Sequence, residues 1–403
     1  MSWEKVQLKS LVSKGGVFID GDWIESKDQD QNGEIRLIQL ADIGVGKFID
    51  KSSRFMTKDR ASNLKCTYLK KGDILIARMP DPIGRCCIFP FEEHEKYVTV
   101  VDIAILRPNN ETVSTRFLQH YINSNDFQSK IAPNITGTTR RRISRGKLEN
   151  LEIPLPPLLI QEKIAAILDK ADELRRKDQE LLKKYDELAQ AIFIDMFGDP
   201  VRNEKGWELK QLKEICKVKG GKRVPKGEKL VKEDTGFPYI KAGDIKNDYI
   251  RPIKTEYLLP QTQKKIARYI VNAGDVVITV VGVNIGDIGI VPEELDNANL
   301  TENANKFIIE DSSKLNNKFL AYFLQSSYIQ SQIKKKIMAV GVPKLALFRI
   351  EELLISVPPI EIQNEFVNKI ELINQLKAQT NAEKSDELFQ SLLQRAFKGE
   401  LVR

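Results

Sequence analysis

The chain is written twice. Trp3-Glu4, followed by Gln7-Leu8-Lys9, returns 204 residues later as Trp207-Glu208, followed by Gln211-Leu212-Lys213. At a shift of 202, Gly72-Asp73-Ile74 becomes Gly274-Asp275-Val276, Ile83-Gly84 becomes Ile285-Gly286, and Phe117-Leu118 becomes Phe319-Leu320. The segment IPLPPLLIQ at 153–161 returns at the same shift as ISVPPIEIQ at 355–363, and Asp186-Glu187-Leu188 recurs after 200 as Asp386-Glu387-Leu388. A period near 200 is a duplicated domain with its linker, because solenoid repeats run to roughly 20–50 residues. The 403 residues therefore resolve into two similar halves instead of one oversized core.

Each half has two parts. Residues 1–157 and 200–357 hold short β-type runs bounded by Gly, Pro, Asn and Asp, such as ILIARM at 74–79 and DVVITVVGV at 275–283, and each ends in a helical pattern near 114–131 and 316–333. Residues 158–199 and 358–403 carry helix periodicity instead. Ile160, Ile164, Ile167, Leu174, Leu181 and Leu188 follow a heptad seam in the first; Ile362, Phe366, Ile373, Leu376, Leu388 and Leu392 form a looser one in the second, interrupted by a polar stretch from Thr380 to Ser385. A helix of about 40 residues would be roughly 60 Å long and cannot bury its seam alone. The expected fold class is α+β: a tandem duplication of a mixed domain plus a long helix, the two helices forming an antiparallel coiled coil with pseudo-two-fold symmetry. Pro156-Pro157 and Pro358-Pro359 mark the entry to each helix, since proline suits a first turn and not an interior.

Two similar domains on a stiff spacer suit an object with features repeated at a fixed interval, and double-stranded DNA is such an object. The net charge of +7 says little as a total. Its distribution says more: 24 basic and 20 acidic side chains over 1–157, 26 and 19 over 200–357, against 13 and 17 over the helical segments. The densest cluster, GTTRRRISRGKL at 137–148, offers Thr138, Thr139, Arg140, Arg141, Arg142 and Arg145 to phosphates and guanine edges, the plain alternative being a solvated loop. Its counterpart, AVGVPKL at 339–345, keeps only Lys344; the second half is basic instead at KGGKRVPKG, with Lys219, Lys222, Arg223 and Lys226. ARMPDPIGR at 77–85 carries Arg78 and Arg85 on either side of a turn, matched by TVVGVNIGD at 279–287, which contains Asn284. For these a turn between paired strands is an equal reading. Shared positions are mostly apolar, Gly, Pro and Trp, so they would build the scaffold while the divergent loops read different things.

Catalytic motifs are missing. There is no phosphate-binding loop and no GxGxxG after a strand. His94 and His120 have no counterparts in the other half, and Cys66, Cys86, Cys87 and Cys216 have no metal-ligand spacing. No metal site and no catalytic residue is expected in this chain. The N-terminus lacks the apolar core of a signal peptide and the longest apolar stretch, 276–283, is far short of a membrane span, so a cytoplasmic protein is expected.

The duplicated plan, the IPLPPLLIQEKI and ISVPPIEIQNEF boundaries, IFIDMFGDP at 192–200 and SLLQRAFKGEL at 391–401 together resemble the specificity (S) subunit of type I restriction–modification systems over essentially the whole chain. The resemblance implies two target recognition domains, residues 1–155 and 200–357, each reading half of a split asymmetric DNA site. It implies helices that set the spacer and dock two modification (M) subunits, which bind S-adenosylmethionine and methylate adenine. Restriction (R) subunits would add ATP- and Mg-dependent translocation and cleavage, and the S subunit itself would be non-catalytic, with no cofactor of its own. The competing class is a two-headed scaffold that clamps proteins without reading DNA sequence; an enzyme with an unrecognised site is a third.

Overall fold

Strands covered on both faces read as unbroken apolar runs, and the two clearest such runs, Ile74–Ala77 and Val276–Thr279, are interior strands of four-stranded antiparallel sheets. The computed structural model describes residues 3–12, 16–247, 249–250, 254–338 and 341–402. It divides into two compact units, Met1–Leu181 with Asn381–Arg403, and Leu182–Thr380.

In the first unit the sheet order is Val17–Asp20, Ile103–Arg107, Ile74–Ala77, Cys86–Ile88. Alternate side chains serve different cores. Ile74, Ile76, Ala104 and Leu106 pack with Leu118, Tyr121 and Phe127 of helices Thr115–Ile122 and Asn125–Ile131. Leu75, Ala77, Ile103 and Ile105 pack with Ile38, Phe89 and Tyr97. A smaller sheet runs Phe55–Met56, Ile35–Ile38, Tyr97–Thr99, its last two strands parallel. The second unit repeats this plan. Its main sheet is Cys216–Gly220, Ala304–Ile309, Val276–Thr279, Ile288–Ile290, and the parallel pair returns as Tyr239–Ile240 beside Ala298–Leu300. Only the third strand of the small sheet attaches differently, Ile270–Val271 lying on Ala298–Leu300. Both copies are thus the α+β domain that the repeat implies, and no helix among the described residues is long and apolar enough to cross a membrane.

The shared Gln and Trp are tie points. Gln161 is fully buried at the start of helix Leu158–Phe197; its Oε1 accepts from the Ser114 N–H at 2.9 Å and its Nε2 donates to the Thr112 and Pro156 carbonyls. Gln363, buried at the start of helix Ile360–Gln379, does the same with the Asn316 N–H and the Lys314 and Pro358 carbonyls. Each latch fixes a long helix to the domain before it. The indole N–H of Trp3 donates to the Ala396 carbonyl and that of Trp207 to the Phe197 carbonyl, satisfying the last turn of helix Ala382–Phe397 and of helix Leu158–Phe197 respectively.

The packed seam of helix Leu158–Phe197 differs from the expected one. In the first unit Ile164, Ala165, Leu168 and Ala171 pack antiparallel against Phe389, Leu393 and Ala396, and Arg175 stacks on Phe389 while pairing with Asp386. In the second unit Tyr185, Ala189, Ile192, Phe193, Met196 and Phe197 pack with Phe366, Ile370 and Ile373, and Asp186 pairs with Lys377. Ile160, Ile362 and Leu392 are partly buried in these cores and Phe366 and Ile373 fully so; Leu376 is half-buried. Ile167, Leu174, Leu181, Leu188 and Leu388, expected in the seam, are exposed. The physical reason is that two adjacent heptad rows are apolar. One, through Ile164, Leu168, Ala171, Tyr185, Ala189, Ile192 and Met196, meets the partner helices; Ile167, Leu174, Leu181 and Leu188 are left outside it. The polar stretch at Thr380 is a helix break, which separates Ile360–Gln379 in one unit from Ala382–Phe397 in the other.

Candidate nucleic-acid interface

In the first unit, residues 136–142 form a tight hairpin, Thr136 and Arg142 exchanging N–H···O bonds of 2.9 Å. Gly137 has φ +92°, and a Cβ there would lie 2.5 Å from the Arg140 carbonyl oxygen, so the turn requires glycine. Thr138, Thr139, Arg140, Arg141 and Arg142 are all exposed at its tip. Arg141 pairs with Asp81 of the neighbouring turn at 3.2 Å, whereas Arg140 and Arg142 meet no carboxylate among the described residues. Arg145 is half-buried against Asp20 and Glu149.

Arg78 and Arg85 lie inside the domain and not on its surface. Only 7% and 9% exposed, they are internal ties. Arg78 sits 3.0 Å from Asp20 and donates to the Ile143 and Val101 carbonyls, pinning the base of the hairpin; burial raises the Asp20 carboxyl above its usual range despite Arg78 and Arg145 beside it. Arg85 donates to the carbonyls of Ile43, Leu40, Pro80 and Pro82 and so shapes the Pro80-Asp81-Pro82 turn. The physical reason for both departures is a cluster of carbonyls that needs donors, and a guanidinium supplies five.

The second unit builds the same platform with a different surface. Met338 and Lys344 pair as Thr136 and Arg142 do, at 3.0 and 3.3 Å, and the Leu345 N–H bonds the Val280 carbonyl as the Ile143 N–H bonds that of Arg78. The Gly282 N–H donates to the Pro343 carbonyl, which joins this hairpin to the turn before Ile288. Ala339 and Val340, which open the AVGVPKL stretch, lie outside the described residues. Lys344 is exposed; Asn284 is half-buried in the turn, its side-chain amide without a hydrogen-bond partner among the described residues. The exposed tips are Val283, Val342 and Met338.

The other basic stretch of this unit occupies a separate place. Gly221 lies where Gly21 lies in the first unit, each packed so closely on a neighbouring backbone that a Cβ would come within 2.1 Å of the Thr301 oxygen or 2.3 Å of the Val100 oxygen. Beside Gly21 stand Asp20 and Asp22; beside Gly221 stand Lys222 and Arg223. The Lys222 ammonium and the Arg268 guanidinium approach the Tyr269 ring at 5.9 and 5.2 Å, and a cleft of about 340 Å³ is lined by Lys219, Arg268, Tyr269 and Lys306. Arg223 pairs with Glu302, and Lys226 is exposed. Arg268 and Lys306 come from separate parts of the chain and no local cluster announced them. The four cysteines are buried, and burial pushes the thiols of Cys66, Cys87 and Cys216 up to about 12, and that of Cys86 well up.

The family model for the type I restriction modification DNA specificity domain matches residues 1–184 and again 204–389. The chain is 24% identical over 341 residues to the type I restriction enzyme MjaIX specificity subunit of Methanocaldococcus jannaschii, covering 79% of this chain and 74% of that one. It is 24% identical over 325 residues to the EcoBI specificity subunit of Escherichia coli, covering 71% and 66%. Among solved structures, the S subunit of a type I restriction–modification system from M. genitalium superposes with a TM-score of 0.59 at 18% identity, over 98% of this chain and 96% of that one. With one specificity domain in each half, on a shared scaffold whose exposed loops differ, the chain belongs to the family of type I restriction–modification specificity subunits, whose members are non-catalytic.

Proposed function

We propose that each domain of this DNA-recognition subunit reads one half of a bipartite, asymmetric site. The observation that carries this reading is the duplicated platform with unlike tips: the same backbone pairings hold Arg140 and Arg142 outward in one unit and Val342 with Lys344 in the other. Two copies of one reader would serve a palindrome; two unlike readers serve an asymmetric site. In the first domain, Thr138, Thr139, Arg140, Arg141 and Arg142 supply cations and hydroxyls for phosphates and the guanine edge, with Arg145 at the hairpin's base. In the second, Lys219, Lys222, Arg223 and Lys226 would follow the phosphate backbone while Asn284 and Lys344 face the bases.

The subunit works within a type I complex. Its exposed row Ile167, Leu174 and Leu181 is apolar surface that a modification subunit would cover, one for each half of the chain. On this reading S-adenosylmethionine is held by those subunits, and ATP with Mg by restriction subunits; this chain binds none of them and acts in the cytoplasm beside the DNA. The helix Leu158–Phe197 would set the spacer, so shortening it alters the tolerated spacing and not the half-site bases. Sequencing methylated adenines in cells that carry this chain with its modification subunits tests the reading. A single split motif is expected; absence of any split motif would leave the protein-clamping scaffold in its place.

A further inference from the structure

We propose that the second recognition domain reads thymine through its 5-methyl group, using the exposed Val283 and Val342 as the apolar contact; this rests on the DNA-reading function above. Val283 and Val342 face solvent at the tips of two adjoining turns, where they are open to contact from outside the chain. Val283 is fully exposed and Val342 is 69% exposed. The Gly282–Pro343 hydrogen bond ties their turns together, so the two form one tip.

What covers this tip is indicated by its surroundings. The Val342 hairpin occupies the position that the triple-arginine hairpin occupies in the first domain, fixed by the same pairings to the equivalent sheet. Lys344 ends this hairpin, and Lys334 and Lys335 lie in the last turn of the helix that precedes it in the chain, all exposed. None of the three meets a carboxylate among the described residues, so their charge is available to phosphates on either side of a groove. Asn284, next in sequence to Val283, has a side-chain amide without a hydrogen-bond partner among the described residues. An amide that can bond adenine N6 and N7, beside an apolar group that can meet a methyl, matches the major-groove face of an A·T pair and of no other.

The test uses the full chain with its modification subunits and a random duplex library, prepared once with thymine and once with uracil, which pairs identically but lacks the methyl. Selection from the thymine library is expected to yield a split site. The half that changes when residues 200–357 are exchanged should bind about fourfold more weakly for each uracil that replaces a contacted thymine, the effect of burying one methyl. The double substitution V283S/V342S, which replaces the apolar groups by polar ones, should abolish that difference, while the other half-site, read by the same molecule, is selected as before and reports that the variant is folded. A split site whose second half is indifferent to uracil, or a variant that discriminates as the wild type does, overturns this proposal alone. No split site from either library overturns the DNA-reading function, and this inference with it.

Discussion

Arginines in this chain do two jobs that the sequence writes identically. Arg140 and Arg142 are exposed and unpaired among the described residues, while Arg78 and Arg85 are consumed by carbonyls of the interior. The duplication holds the clue: the position of Arg78 is Val280 in the other copy, and that valine is 3% exposed, packed in the core of its unit. Replacing Arg140, Arg141 and Arg142 by Ala should weaken DNA binding and lower the salt slope by about one unit for each phosphate no longer neutralised; titrations at several salt concentrations would show this, and an unchanged slope would place the hairpin away from DNA. Gln161 and Gln363 are visible as the last letter of a repeated motif, but their role is not, because a buried side-chain latch has no periodicity. Substituting either by Ala orphans one N–H and two carbonyls and should cost about 3 kcal/mol. Denaturant unfolding of the two variants should give similar losses, since the two latches make the same set of hydrogen bonds.

At the scale of elements, the helix Leu158–Phe197, the helical character of 358–403 and the strands around them are legible in the sequence, because apolar runs and heptads are local properties; that the C-terminal segment is two helices, Ile360–Gln379 and Ala382–Phe397, shows there only as a polar stretch. The choice between two adjacent apolar rows is not, since it depends on the partner helix. Leu168 faces Phe389 and Leu393 in one core; Leu174 and Leu181 face solvent. Leu168→Ala should therefore destabilise the chain by about 2–5 kcal/mol. Leu174→Lys with Leu181→Lys should leave the melting temperature nearly unchanged and abolish co-purification with the modification subunit. Loss of folding in the double lysine variant, or full retention of the complex, would contradict the assignment of this row to a partner.

For the molecule as a whole, duplication allows the scaffold to be shared and the reading surfaces to diverge. The charge follows that division: the excess lies in the globular domains and a small deficit in the helices. The first domain's reading loop is legible because arginines cluster in it; the second is obscure because its tip is apolar, and an exposed valine looks like a core valine until the fold places it. The central claim is that the two domains are independent readers of two half-sites. Exchanging residues 1–155 for the corresponding domain of another specificity subunit, then sequencing the methylated adenines, tests it most directly. The account predicts that one half of the split motif changes while the other half is retained; a motif that changes in both halves, or in neither, would contradict it.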